Sequence, residues 1–203
     1  MTALDLTPGI VPASRRRAEP AADWPIPPTD PPILIPGIAA DETLYPIEKI
    51  EAHVRGLHHL AISVFLFAGG RLLLQRRAAG KYHCGGQWAN TCCTHPHWGE
   101  TSLDAAGRRL DEELGIGGLT LTPRRQVDYC ADVGGGLWER ERVDMFRAEV
   151  EHPKKVAMHL NCAEVDEVRW VDATSLHDWM QRAPGAFTPW FRLYVNRFPS
   201  LDF

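Results

Sequence analysis

The chain has 203 residues, 44% hydrophobic and 24% charged, with 22 basic against 26 acidic side chains for a formal net charge of −4. That length fits one domain with a full core, and the slightly acidic balance offers no positive field for nucleic acid, since the single basic run, Arg15-Arg16-Arg17, is followed by Glu19 and Asp23. No apolar run approaches the roughly twenty residues of a membrane span or the core of a signal peptide, so a cytoplasmic protein without membrane insertion is expected. Five cysteines, an odd number, imply reduced thiols and not a disulfide framework.

Ten of the sixteen prolines precede residue 50, and residues 1–31 show neither helical nor strand period. They are expected to form a flexible arm, with the folded domain spanning 32–203. His59 to Phe67, Gly69-Gly70 and Arg71 to Gln75 read as two strands joined by a tight turn. The segment "GETSLDAAGRRLDEELGI" predicts a helix capped by Thr101 or Ser102, with Leu103, Ala106, Leu110 and Leu114 on one face and Gly115 as its stop. Strands are predicted at Gln126 to Ala131, Val143 to Val150 and Val165 to Val171, and helices at Ser175 to Arg182 and Phe187 to Arg197. The pattern is α/β with a mixed sheet.

Two motifs carry chemistry. In "NTCCTHP" at 90–96, two thiols and an imidazole could be a metal cluster, a nucleophilic centre or packed core. If the stretch is extended, Cys93 and His95 point to one side and Cys92 to the other. In the helix, Arg109 and Glu113 are an i, i+4 pair, which alone reads as a solvated face. The larger pattern of Glu100, Arg108, Leu110, Glu112-Glu113, Gly115 and Ile116 resembles the Nudix box, which holds a divalent cation against a diphosphate. Thr94 stands where that box has glycine, and Arg109 replaces a glutamate of the water-activating cluster, which weakens a hydrolase reading.

From about Ile33 to Phe198 the chain resembles the type 1 isopentenyl diphosphate isomerases of the Nudix superfamily. The likeness rests on "HHLAISVFLF" (58–67), "LLLQRRAAGK" (72–81), "WANTCCTHP" (88–96), "RRLDEELG" (108–115), "WERERVDMF" (138–146) and "AFTPWF" (186–191). It implies a single Nudix-like α/β/α sandwich with a mixed sheet. It also implies conversion of isopentenyl to dimethylallyl diphosphate, by protonation at C4 and deprotonation at C2 through a tertiary carbocation. Cys93 and Glu141 are then the catalytic pair, with the choice of acid and base left open; Tyr129 hydrogen-bonds the glutamate, and Trp190 faces the cation. His53, His59, His95, Glu139 and Glu141 match the family's metal site, for Mn²⁺ or Zn²⁺ (or Mg²⁺), with His58 a neighbour of the ligand. Arg77, Lys81 and Arg109 match diphosphate contacts, and Glu113 matches the ligand of a substrate-borne Mg²⁺.

The resemblance implies a small prenyl diphosphate as partner and leaves the oligomeric state open, a monomer included. Cys84, Cys130 and Cys162 read as incidental. Water must be kept from the cation, and the N-terminal arm is one candidate cover. The alternatives are a Nudix pyrophosphohydrolase and a zinc-stabilised binding module with thiolate ligands.

Overall fold

The computed structural model describes residues 25–203, so most of the expected arm lies outside the described residues. Within 25–31 the chain is already tied down, because the Thr29 amide and hydroxyl both donate to Glu48 Oε1. Strands β1 (Leu34–Ile38) and β2 (Leu44–Glu48) form a hairpin that leads into the short helix α1 (Lys49–Val54).

The centre of the mixed sheet is β3 (His59–Ala68), which turns through Gly69-Gly70 into β4 (Arg71–Arg77). Both turn glycines have positive φ, 53° and 76°, as a two-residue hairpin turn requires. Beyond the turn the two strands part: β3 takes up β6 (Cys92–Thr94) antiparallel and β8 (Leu137–Val150) parallel, while β4 pairs with β5 (Trp88–Ala89) and β9 (Val165–Val171). A long hairpin joins β7 (Thr122–Gly134) to β8; β7 starts four residues before the predicted Gln126.

Alternation along β3 divides the core. Ile62, Val64 and Leu66 pack under helix α2 (Ser102–Leu114), while Ala61, Phe65 and Phe67 face α3 (Ala173–Arg182) and α4 (Pro189–Arg197). The result is the α/β/α sandwich that the sequence predicts. Among the described residues no helix is long and apolar enough to cross a membrane.

Helix α2 starts where Thr101 Oγ1 accepts from the Asp104 amide at 3.1 Å. It stops at Gly115, whose φ of 63° is left-handed and whose added Cβ would sit 2.8 Å from His159 Cβ. The predicted face needs one correction: Ala106, Leu110 and Leu114 are buried, but Leu103 is 49% exposed. Its angle on the helix is right, but it lies in the first turn, and the packed face begins only at Ala105. Helix α4 begins at Pro189 and not Phe187, because Phe187 is extended and the Thr188 amide donates to the Trp88 carbonyl at 2.9 Å.

Candidate active site

The parallel pairing of β3 with β8 sets His59 beside Glu141 in register, at one mouth of the sheet. Glu139 lies two residues earlier on the same face of β8, as strand alternation dictates. Helix α1 supplies His53 and the chain after β6 supplies His95; all five side chains are buried. The nitrogens of His53, His59 and His95 and an oxygen of Glu141 lie within 4.8 Å of one another. Closest are His95 Nε2 to Glu141 Oε1 at 2.9 Å and His59 Nε2 to His95 Nε2 at 3.2 Å. Glu139 falls in an adjoining group, with His53 and His83.

The donor chemistry fits a divalent cation. His53 Nδ1 contacts the Lys49 carbonyl at 2.7 Å and His59 Nδ1 the Leu57 carbonyl at 2.6 Å, which fixes the proton on Nδ1 in each ring. Each ring therefore turns a bare Nε2 lone pair inward, and that of His53 has no hydrogen-bond partner among the described residues. Burial, followed by the neighbouring His95 and His59, holds the His53 imidazole well below the usual range; burial brings His95 down to about 4. Neutral nitrogens beside carboxylates are what Zn²⁺ or Mn²⁺ binds.

Tyr129 on β7 stands opposite Glu141, and its phenol oxygen lies 2.7 Å from Glu139 Oε2 and 2.6 Å from Glu141 Oε2. One O–H cannot donate to two carboxylates, so the second short contact needs a proton on a carboxyl group. Burial and then the Glu141 charge push Glu139 well above the usual carboxyl range. Burial would raise Glu141 too, but hydrogen bonding within the histidine cluster, with His95 Nε2 at 2.9 Å, holds it well below. Of the two, Glu139 is the more readily protonated.

On β6 the register sets Cys93 against Ser63 and Cys92 against Val64. Cys92 is fully buried in the core under α2, whereas Cys93 lines the cavity shared with Glu139, Glu141, Tyr129 and Trp190. Burial pushes the Cys93 thiol up to about 12 despite the Arg77 guanidinium, so it is protonated at neutral pH. Trp190, in the first turn of α4, is 2% exposed and donates from Nε1 to Asn90 Oδ1 at 3.3 Å. The Arg77 guanidinium carbon lies 5.4 Å from its ring centre, so the indole already faces one cation.

Arg77, Lys81, Arg109 and Glu113 line the same cavity. Arg109 bridges Glu113 on its own helix and Glu164 across the site, where Glu164 also meets Lys81. Gln75 Nε2 donates to the other Glu113 oxygen at 2.8 Å.

Sequence reasoning missed Lys49 and His83, both in the cavity lining. Burial, then Lys81, Arg109 and Arg77, lower Lys49 to about 8, the mark of a cluster of cations waiting for an anion. A single lysine on a six-residue helix leaves no periodic signal, and a loop histidine leaves none either.

A family model for the NUDIX domain matches residues 57–191. The fold likeness extends to crystal structures of DR0079 from Deinococcus radiodurans (TM-score 0.63, 15% identity, 81% of this chain and 98% of that one) and of RenU, a Nudix hydrolase from M. smegmatis (TM-score 0.54, 22% identity, 82% and 92%). With its sandwich and its box-bearing helix, the chain belongs to the Nudix family. Within that family it is 56% identical over 152 residues to an isopentenyl-diphosphate Delta-isomerase of Cereibacter sphaeroides, covering 75% of this chain and 85% of the relative. To one from Jannaschia sp. it is 51% identical over 161 residues, covering 79% and 90%. It is an enzyme of the type 1 isopentenyl-diphosphate Delta-isomerases.

Proposed function

We propose that the cavity interconverts isopentenyl and dimethylallyl diphosphate. The observation that carries this reading is a single cavity lined both by Cys93, Tyr129, Glu139, Glu141 and Trp190 and by four cations, Lys49, Arg77, Lys81 and Arg109. A small molecule with an anionic head and an apolar tail fits that mixed lining.

The four cations and Glu113 grip the head. Arg109 stands where hydrolases of the Nudix pattern have a glutamate, and its pairing with Glu113 leaves a clamp in place of a water-activating cluster. The diphosphate is then a handle and not a target. Glu113 would hold the Mg²⁺ that accompanies the head, which supplies compensation for its charge. His53, His59, His95, Glu139 and Glu141 would hold a second divalent ion, Mn²⁺ or Zn²⁺, which supplies a fixed charge that orients the two carboxylates.

At the tail, allylic transposition moves one proton on to C4 and another off C2. Two sites are needed, each able to give a proton in one direction and take one in the other. The Cys93 thiol is protonated at rest. Opposite it, the proton on Glu139 can pass through the Tyr129 phenol to Glu141 by two coupled transfers along the short hydrogen bonds. In one direction the Cys93 thiol gives its proton and ionised Glu141 takes one up; the reverse starts from the state this leaves, Cys93 thiolate and protonated Glu141, so each direction has one loaded donor and one empty acceptor. The cationic carbon between them gains from the Trp190 ring, and burial keeps water from trapping it as an alcohol.

The test is to incubate the full chain with isopentenyl diphosphate and Mg²⁺ and follow both acid-labile allylic diphosphate and free phosphate. Allylic product without phosphate is the expected result. Phosphate release without allylic product would make the protein a hydrolase.

A further inference from the structure

We propose that His83 is a further ligand of the ion at the histidine and carboxylate cluster, so that the centre of this chain is built from four histidines and two carboxylates. The inference rests on the metal-dependent reading given above and adds a residue to it.

His83 lies in the loop between β4 and β5 and is 8% exposed. Among the described residues neither nitrogen has a hydrogen bond: Nδ1 has no partner, and Nε2 stands 3.5 Å from Glu139 Oε1, beyond hydrogen-bond range. Burying an imidazole in that state is costly unless something satisfies its lone pair. The spacing to Glu139 is instead that of two donors around one cation. With metal–ligand bonds of about 2.1 Å, neighbouring donors of an octahedron stand about 3 Å apart and opposite donors about 4.2 Å. His53, His83 and Glu139 each present one donor atom, all within 4.8 Å of one another.

These three donors and the tetrad of His53, His59, His95 and Glu141 share His53. Because Nδ1 of His53 is committed to the Lys49 carbonyl, only Nε2 is free, and one nitrogen serves one ion. The two groups therefore meet at one donor, His53 Nε2, and an ion held there would draw His83 and Glu139 in beside the tetrad. The His83 ring is fixed in place from the substrate end: Arg77 donates to its backbone carbonyl at 3.3 Å, and the rings of Tyr82 and Trp190 meet it edge-on at 4.4 and 5.9 Å. On the other side it stacks on His53 at 5.9 Å.

The experiment uses the full chain stripped of metal and titrated with Mn²⁺ alone against a competing chelator, in the wild type, His83→Ala, His83→Gln and His58→Ala. His58 pairs with Asp128 at 3.0 Å, away from the cluster, and serves as the control. Both His83 variants should bind Mn²⁺ at least tenfold more weakly, while the melting temperature of the metal-free protein stays at the wild-type value and His58→Ala binds normally. X-ray absorption of the Mn²⁺-loaded protein should show one imidazole fewer in the His83 variants. Wild-type affinity in a folded His83 variant would overturn the proposal and leave the isomerase reading untouched. An affinity loss matched by an equal loss of metal-free stability would make His83 a packing residue. Failure of the wild type itself to bind Mn²⁺ or Zn²⁺ would remove the metal reading and the proposal together.

Discussion

Tyr129 and Glu141 face each other across the β7–β8 hairpin, with the phenol oxygen 2.6 Å from the carboxylate. A second contact of that oxygen, 2.7 Å to Glu139 Oε2, makes it the link between the two carboxyl groups. Tyr129→Phe removes the link and keeps the ring that packs against Tyr194. Turnover should fall by about a hundredfold or more, in the range of a lost acid–base contribution, with KM little changed. Steady-state kinetics checks this, and a loss under threefold would exclude the relay.

Part of this hairpin is legible in the sequence, although β8 begins at Leu137 and not at the predicted Val143, and β7 runs on to Gly134. "WERER" alternates on a strand, so Glu139 and Glu141 must share a face, and β9 has the predicted ends because its run is bounded by turn residues. "NTCCTHP" yields the opposed faces of Cys92 and Cys93 by the same period of two. Long-range pairing is not local in this sense. Nothing in "HHLAISV" says that His59 will stand beside Glu141, 82 residues on, in a parallel pair. Lys49 and His83 are silent for another reason, since their roles come from burial beside other charges and not from any pattern of their own.

The opposed thiols separate two roles. Cys93→Ala removes the proposed proton carrier and should lower kcat at least a hundredfold. Cys92→Ala leaves a small void under α2 and should cost stability by about 1 kcal/mol while turnover stays near wild type. Comparable loss of activity in both, with each shown to be folded, would contradict the division of faces.

Lys49 ties binding to pH. In the free protein it titrates at about 8, lowered by burial and by Lys81, Arg109 and Arg77, and a bound diphosphate must raise it again. The bound state therefore holds more protons than the free one, so affinity falls as pH rises through 8. At pH 8 the free side chain is half-protonated, and binding should take up roughly half a proton. Calorimetry with an unreactive alkyl diphosphate and Mg²⁺ in buffers of different ionisation enthalpy reads that number directly. Lys49→Met should abolish the uptake; identical uptake in the variant would place the proton elsewhere.

The proposed reaction delivers one proton to C4 and removes another from C2 while the diphosphate stays whole. Proton NMR of isopentenyl diphosphate incubated in D₂O with the full chain and Mg²⁺ measures all three events in one tube. The expected result is dimethylallyl diphosphate with solvent deuterium in the new methyl group and no free phosphate or pyrophosphate. Dimethylallyl product whose new methyl group carries no deuterium would contradict protonation from groups in exchange with solvent, and phosphate appearing without the allylic isomer would contradict the isomerase reading altogether.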